Sequence, residues 1–314
     1  MNATVVKHTG SHYLLSELPE WNLFPAVLRG RMRLGGDSST NPVAVGDKVE
    51  YETGDDGMAV ITKVLPRSNY VIRKSTNLSR QSHIIAANVD TAFIVVTLDF
   101  PQVKLPFLDR LLVSCEAYGV PPVIVLNKCD LYAGGYEESL GSFRRIYEGA
   151  GYRVLPVSAK TGEGIGELRN MVRGESPAEQ STRICLFSGV SGVGKSSLIK
   201  ALDPDLEPRV GNISTAHLQG RHTTTFYEMY RPSCGGFIID TPGIRGFGLV
   251  DVDADEIATY FPEMLRASGN CRFTPCTHTH EPGCAVKAAV EDGSISIERY
   301  NSYLGMLDEE KKYR

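Results

Sequence analysis

The run Gly189-Val190-Ser191-Gly192-Val193-Gly194-Lys195-Ser196, followed by Ser197, has the spacing G-x-x-x-x-G-K-[ST]. It stands between a strand-like stretch, RICLFS, and a helix-like one, SSLIKAL, the setting that a phosphate-binding loop requires. Its glycines let backbone N–H groups curl around a β-phosphate, and the helix N-terminus adds favourable partial charge. Lys195 would reach the β- and γ-phosphates, and Ser196 would ligate Mg²⁺. Asp240, in Asp240-Thr-Pro-Gly243, ends the apolar strand FIID, which suits an acid directed at Mg²⁺ with the Gly243 N–H at the γ-phosphate. Asn127-Lys128-Cys129-Asp130 follows PVIVL. A carboxylate at Asp130 accepts hydrogen bonds from both N1–H and the exocyclic amine of guanine, a pair that adenine lacks. Asn127 would brace the phosphate loop, and Lys128 would lie along the base. Ser158-Ala159-Lys160 follows RVLPV and offers the Ala159 N–H to guanine O6. The tripeptide and tetrapeptide elements are each a weak signal alone; together with the phosphate loop, four elements at strand ends specify GTP or GDP.

Their order is unusual. In common Ras-like GTPases the phosphate loop comes first, whereas here NKCD and SAK precede it and DTPG comes last. The order is a circular permutation, in which the same strands occupy the same places while the chain enters elsewhere. The position just after DxxG, where a glutamine often orients the attacking water, is Ile244. The nearest substitute is His222, in Gly220-Arg-His-Thr-Thr-Thr225, whose imidazole can accept a hydrogen bond from water. Thr223 or Thr224 would complete the Mg²⁺ shell. Further on, Cys271-x₄-Cys276-x-His278-x₅-Cys284 offers three thiolates and an imidazole within fourteen residues, a donor set for closed, structural Zn²⁺. His280 is the rival imidazole. Cys115 and Cys185 sit in apolar runs and read as core.

Three kinds of element must position these groups. Residues 1–65 hold short, partly alternating apolar runs punctuated by Gly, Pro, Asp and Asn, which predicts a small all-β unit of about five strands closed as a barrel. Residues 66–82 read as a polar, basic linker. Residues 83–267 alternate strand and helix, predicting an α/β domain with a buried parallel sheet. Phe226–Tyr230 and Gly236–Asp240 read as an antiparallel hairpin at one edge of that sheet. Residues 268–314 carry the Cys/His cluster and a helix in which Ile297, Tyr300, Tyr303, Leu304 and Leu307 form a core stripe. The chain has 314 residues, 42% hydrophobic and 22% charged, with a net charge of −4, as expected of a folded globular protein rather than a disordered one. Between Gly57 and Val89 five basic residues (Lys63, Arg67, Arg73, Lys74, Arg80) occur without an acid, and Arg29, Arg31 and Arg33 alternate along a strand. Such a local strip can meet RNA phosphate, with Tyr70 available for stacking. No apolar run is long enough to span a bilayer, no signal-peptide pattern opens the chain, and seven cysteines disfavour a disulfide framework. The expectation is a cytoplasmic protein with no membrane partner.

Taken together, NKCDL, SAKTGEG, GVSGVGKSSL, GRHTTT, DTPG and the Cys/His spacing closely resemble the circularly permuted, small-ribosomal-subunit-dependent GTPases of the RsgA (YjeQ) type, over essentially the whole chain. The resemblance implies an oligonucleotide/oligosaccharide-binding (OB) barrel, then the permuted GTPase domain, then a zinc-binding domain with helices. It favours His278 over His280 as the fourth ligand. It also implies GTP hydrolysis, one structural Zn²⁺ per chain, Mg²⁺ with GTP, a monomer, and the small ribosomal subunit with its rRNA as partner in late maturation. A different reading of the same residues is an RNA-binding assembly scaffold in which GTP serves mainly as a conformational lock.

Overall fold

The computed structural model describes residues 1–9, 12–30, 42–54, 57–74, 82–132, 134–177, 182–206, 227–241 and 252–312. The N-terminal strands are β1 (Asn2–His8), β2 (His12–Ser16), β3 (Phe24–Leu28), β4 (Lys48–Thr53) and β5 (Ala59–Val64). They pair in the order β1-β2-β3-β5-β4, and β4 returns to β1, so the barrel is closed. Only β3 and β5 run parallel within it. Alternation along each strand sends Val5, Leu15, Ala26, Val49 and Ile61 into one small core. Closure also removes the open strand edges of so short a sheet. The basic stretch after the barrel carries a further strand, β6 (Tyr70–Lys74), which pairs antiparallel with β7 (Ser82–Ala87). Arg67 is drawn back to the barrel, where Nε and Nη2 each lie 2.7 Å from the oxygens of the fully buried Asp47.

The central sheet contains β8 (Thr91–Val96), β9 (Pro122–Leu126), β10 (Val154–Pro156), β11 (Ile184–Ser188), β12 (Glu228–Tyr230) and β13 (Phe237–Asp240). The order β10-β9-β8-β11-β13 is parallel throughout, and β12 adds antiparallel to β13. Strands buried on both faces need apolar residues at every position, and all six residues of β8 are buried. Ala92, Ile94 and Val96 face one core, shared with α1 (Leu105–Ala117) and α2 (Glu137–Ala150). Phe93 and Val95 face the other, shared with α3 (Ile165–Arg173) and α4 (Lys195–Leu202). Cys115 and Cys185 are buried in these cores as expected. The β12–β13 hairpin forms as predicted, but β12 is not a free edge. It also pairs with β1 at Lys7 and Glu228, whose side chains are joined at 2.7 Å, so barrel and central sheet run on as one eleven-stranded sheet.

The C-terminal part packs α5 (Pro262–Ser268), α6 (Ala285–Glu291) and α7 (Ile297–Lys312) around Phe261, Met264, Val286, Tyr303, Met306 and Leu307. Val113 of α1 enters the same core. Tyr303 and Leu307 of the expected stripe are buried, whereas Ile297, at the helix start, is 50% exposed. The residue that fastens this core to α1 of the central domain is Arg299, fully buried on α7. Its Nη1 donates to Asp109 of α1 at 2.9 Å, and its Nε and Nη2 donate to Glu263 of α5 at 2.7 and 3.1 Å. The guanidinium also lies 4.6 Å from the Phe261 ring centroid.

Candidate functional site

Every described nucleotide motif lies at the C-terminal end of a parallel strand, where an α/β sheet binds its ligand. NKCD leaves β9, SAK leaves β10, the phosphate loop leaves β11, and Asp240 ends β13. Between them opens a cleft of about 370 Å³, lined by Asn127, Lys128, Asp130 and Leu131, by Ala159 and Lys160, and by Gly194 and Ser197.

Asn127 is the hub of the cleft. Its backbone N–H donates to Val96 of β8 at 2.9 Å. Its Nδ2 donates to the Val193 carbonyl in the phosphate loop at 2.8 Å, and its Oδ1 accepts from Ala159 N–H at 3.2 Å. One side chain therefore ties the NKCD and SAK loops to the glycine-rich loop. The approach demands glycine at Gly194, where φ is +95° and a Cβ would stand 2.4 Å from Asn127 Nδ2. Asp130 is aimed by Ser158, whose hydroxyl donates to it at 2.7 Å. Lys160 Nζ lies 3.9 Å from the other oxygen of Asp130. Lys128 Nζ donates to the Gly192 carbonyl at 2.8 Å and to Phe100 O, so its stem runs along the cleft wall. Cys129, the variable residue of NKCD, is half-buried, and its Sγ meets Leu126 O at 3.2 Å. Burial pushes this thiol up to about 11.

At the phosphate end, Gly189 and Val193 are buried and Val190, Gly192 or Ser191 lie toward the surface. Lys195 is buried, and its ammonium donates to the carbonyls of Gly189 and Val190 at 2.6 and 3.1 Å. Burial lowers its pKa, and the charge of Asp240 opposes that fall. Burial raises Asp240 to about 6, with Lys195 pulling it down. Asp240 Oδ1 is buried with no hydrogen-bond partner among the described residues, the condition of an acid whose partner is a cation. Half-buried Ser196 is the second residue of α4, next to Lys195 in sequence. The donor set thus fits Mg²⁺. His222, Thr223, Thr224 and Gly243 lie outside the described residues.

The Cys/His cluster converges as the spacing implies. The ligand atoms of Cys271, Cys276, His278 and Cys284 all lie within 4.8 Å of one another. A tetrahedral Zn²⁺ with Zn–S of about 2.3 Å and Zn–N of about 2.0–2.1 Å requires edges of about 3.8 Å for S···S and about 3.6 Å for S···N. Cys271 and Cys284 are 3.9 Å apart, and His278 Nδ1 is 3.7 and 3.4 Å from their sulfurs. The residues present fit Zn²⁺, with His278 the converging imidazole. His280 turns its Nδ1 to Thr279 Oγ1 at 2.9 Å. The knuckle is braced from outside. Glu281 accepts from the Thr277 and Thr279 N–H groups at 2.7 and 3.0 Å, and the hydroxyls of Tyr300 and Tyr303 on α7 donate to the His278 and Thr277 carbonyls.

Several supporting residues carried no signal in the sequence. Arg299 and Tyr132 are single residues in unremarkable contexts, and their partners lie on other elements. Tyr70, expected to be available for stacking, packs against Tyr118 with centroids 5.1 Å apart. Arg29 is exposed and paired with Glu52 at 3.1 Å.

A family model described as RsgA GTPase matches residues 64–250. A protein of Bacteroides fragilis named small ribosomal subunit biogenesis GTPase RsgA is 48% identical over 316 residues, covering 100% of this chain and 99% of its own. A namesake from Flavobacterium psychrophilum is 43% identical over 318 residues, covering 100% and 95%. Among solved structures, YjeQ from Thermotoga maritima superposes with a TM-score of 0.79 at 32% identity, covering 100% of this chain and 99% of that one. YloQ, described as a circularly permuted GTPase, gives 0.74 at 28%, covering 100% and 96%. With more than half its length inside the family model and relatives alike from end to end, the chain belongs to the RsgA GTPase family.

Proposed function

We propose that the protein is a GTPase acting in the biogenesis of the small ribosomal subunit, and that its nucleotide cycle times its association with that particle. The observation that carries this reading is the Asn127 hub, which draws three loops from distant parts of the chain onto one cleft with a carboxylate at Asp130. Asp130, held by Ser158, reads guanine. On nucleotide binding the Ala159 N–H would pass from Asn127 Oδ1 to guanine O6, and Lys128 would lie along the base. The phosphate loop, Gly189 to Ser197, cradles the phosphates. Lys195 exchanges the loop carbonyls it now holds for phosphate oxygens, which are the stronger acceptors for an ammonium.

Ser196, Asp240 and one of Thr223 and Thr224 would hold Mg²⁺, which when bound neutralises charge on the β- and γ-phosphates. Gly243 N–H would face the γ-phosphate. Ile244 has no group to align a water, so intrinsic turnover is slow. His222 would accept a hydrogen bond from the attacking water when the small subunit is bound. Cys271, Cys276, His278 and Cys284 would hold a structural Zn²⁺, all four positions being filled by protein. Residues 1–65, 66–82, 83–267 and 268–314 act as RNA-facing barrel, linker, GTPase domain and zinc-binding domain of a cytoplasmic monomer.

The test is GTP turnover with purified small or large ribosomal subunits, together with co-sedimentation in GDP, GTP and a non-hydrolysable analogue. Stimulation and GTP-dependent sedimentation with small subunits are expected. Equal behaviour with both subunits would remove the partner assignment. Strong nucleotide-dependent sedimentation without stimulated turnover would favour the scaffold reading.

A further inference from the structure

A loop that no nucleotide motif announces braces the cleft from behind Lys128. Leu98–Pro101 follow β8, and the carbonyl of Phe100 accepts from the same Lys128 ammonium that donates to Gly192. Lys128 is therefore clamped between this loop and the phosphate loop. Pro101 lies against the phosphate loop as well, since a Cβ on Gly192 would meet Pro101 Cδ at 3.4 Å. Thr97 Oγ1 closes the turn on the Pro101 carbonyl at 2.5 Å.

What fastens the Leu98–Pro101 loop to the hub is Tyr132, two residues beyond NKCD and only 5% exposed. Its hydroxyl oxygen accepts from Leu98 N–H at 2.8 Å and donates its proton to the Asn127 carbonyl at 3.0 Å. A phenol has one proton, so with the N–H as donor on one side the direction of both bonds is fixed. Tyr136 supports the same loop, its hydroxyl donating to Asp99 at 2.9 Å with its ring 5.4 Å from that of Tyr132.

We propose that Tyr132 is a positioning residue of the guanine-nucleotide site, setting through Asn127 and the Leu98–Pro101 loop where Lys128 and Asp130 stand. The proposal rests on the assignment of this cleft to GTP. Without the hydroxyl, Leu98 N–H and the Asn127 carbonyl lose their buried partner, and the loop that presents Phe100 O to Lys128 is no longer tied to the hub. The groups affected hold the base and the loop, not the reacting γ-phosphate. The loss is then the same in ground and transition states, so KM rises while kcat stays.

The experiment uses full-length Tyr132→Phe, which keeps the ring and its packing. Fluorescent GDP titration gives affinity, and small-subunit-stimulated turnover gives KM and kcat. Loss of a buried hydrogen-bond partner predicts GDP affinity weaker by about tenfold, with KM raised by a similar factor and kcat unchanged at saturating GTP. Wild-type affinity and KM would overturn the proposal. So would a lower kcat at unchanged KM, which is what a smaller folded fraction produces. Should Tyr132→Phe not fold, Tyr136→Phe decides. Weaker GDP binding there supports the positioning role of the loop, and wild-type binding overturns it. A wild-type protein that binds no guanine nucleotide would instead overturn the assignment of the cleft itself.

Discussion

Replacing Arg299 by methionine tests how the C-terminal helices are held. Methionine keeps a flexible apolar stem and deletes the cation, leaving Asp109 and Glu263 facing an apolar side chain inside the protein. The side chains of Asp109, Glu263 and Arg299 are 0%, 4% and 1% exposed, so water does not replace the lost partner. Removing one member of a buried ion pair costs about 3–5 kcal/mol, because the charge left behind is unsolvated. The pH dependence has a definite sign. Burial already pushes the Asp109 carboxyl up, with the charge of Arg299 as the main opposing influence. Without Arg299 it moves further above its unfolded value. A carboxyl raised in the folded state contributes stability at low pH that is lost as pH rises through the folded pKa. The variant's deficit relative to wild type should therefore be largest near pH 8 and shrink toward pH 5. Urea unfolding of GDP-bound protein at both pH values measures it, with hydrogen exchange on α7 locating the weakened element. Adding Asp109→Asn and Glu263→Gln to Arg299→Met should recover most of the loss, since no uncompensated charge remains. Wild-type unfolding of Arg299→Met at pH 8 would refute the reasoning, as would a triple variant no better than the single one.

The remaining predictions address the two sites. Asp130→Asn should weaken GTP binding and favour xanthosine triphosphate, because an amide presents a donor where guanine also has one; unchanged GTP affinity would dismiss Asp130 as the base reader. Cys276→Ser should lower zinc content from about one per chain and loosen the segment after Gly269 in proteolysis while GDP binding persists, and metal analysis checks it. Gly194→Ala should abolish nucleotide binding by driving a methyl into Asn127 Nδ2, and a normal GDP titration would contradict the hub. His222→Ala should keep GTP and GDP affinity but lose most of the subunit-stimulated rate; a wild-type stimulated rate would remove His222 from hydrolysis.

The sequence made legible what is local. PVIVL and FIID are apolar at successive positions because both faces of those strands are covered, and each ends at a motif because strand ends are where backbone turns toward ligand. The Cys/His spacing was legible for the same reason, since four donors within fourteen residues need little tertiary information. Pairings across the chain were not legible. Arg299 is 190 residues from Asp109 and 36 from Glu263, and a helical arginine beside Glu298 and Tyr300 reads as surface until its partners are known. The contact of β12 with β1 spans 221 residues at Lys7 and Glu228, and nothing in either segment names the other. Tyr132 carries no signal in the sequence because its ring explains its burial and its hydroxyl's two partners lie on separate loops. Periodicity reports that a side chain is buried; it does not report against what.

The permuted order also governs the timetable of synthesis. The strands β9 and β10, which lead into NKCD and SAK, leave the ribosome before β11, which leads into the glycine-rich loop. About ninety residues separate the end of β8 from the start of β11, its partner on the inner side. At about 5–20 residues per second, the inner edge of β8 waits roughly 5–20 seconds for that partner. In that interval a nascent chain has its barrel and the Asp130 loop, but a row of unpaired backbone groups where the sheet's centre will be, the kind of edge that invites wrong pairing. Arrival of β11 fills the gap and delivers the phosphate loop in the same step. A newborn chain thus gains its phosphate loop as the gap beside β8 is filled, before β12 and β13 arrive to complete the sheet.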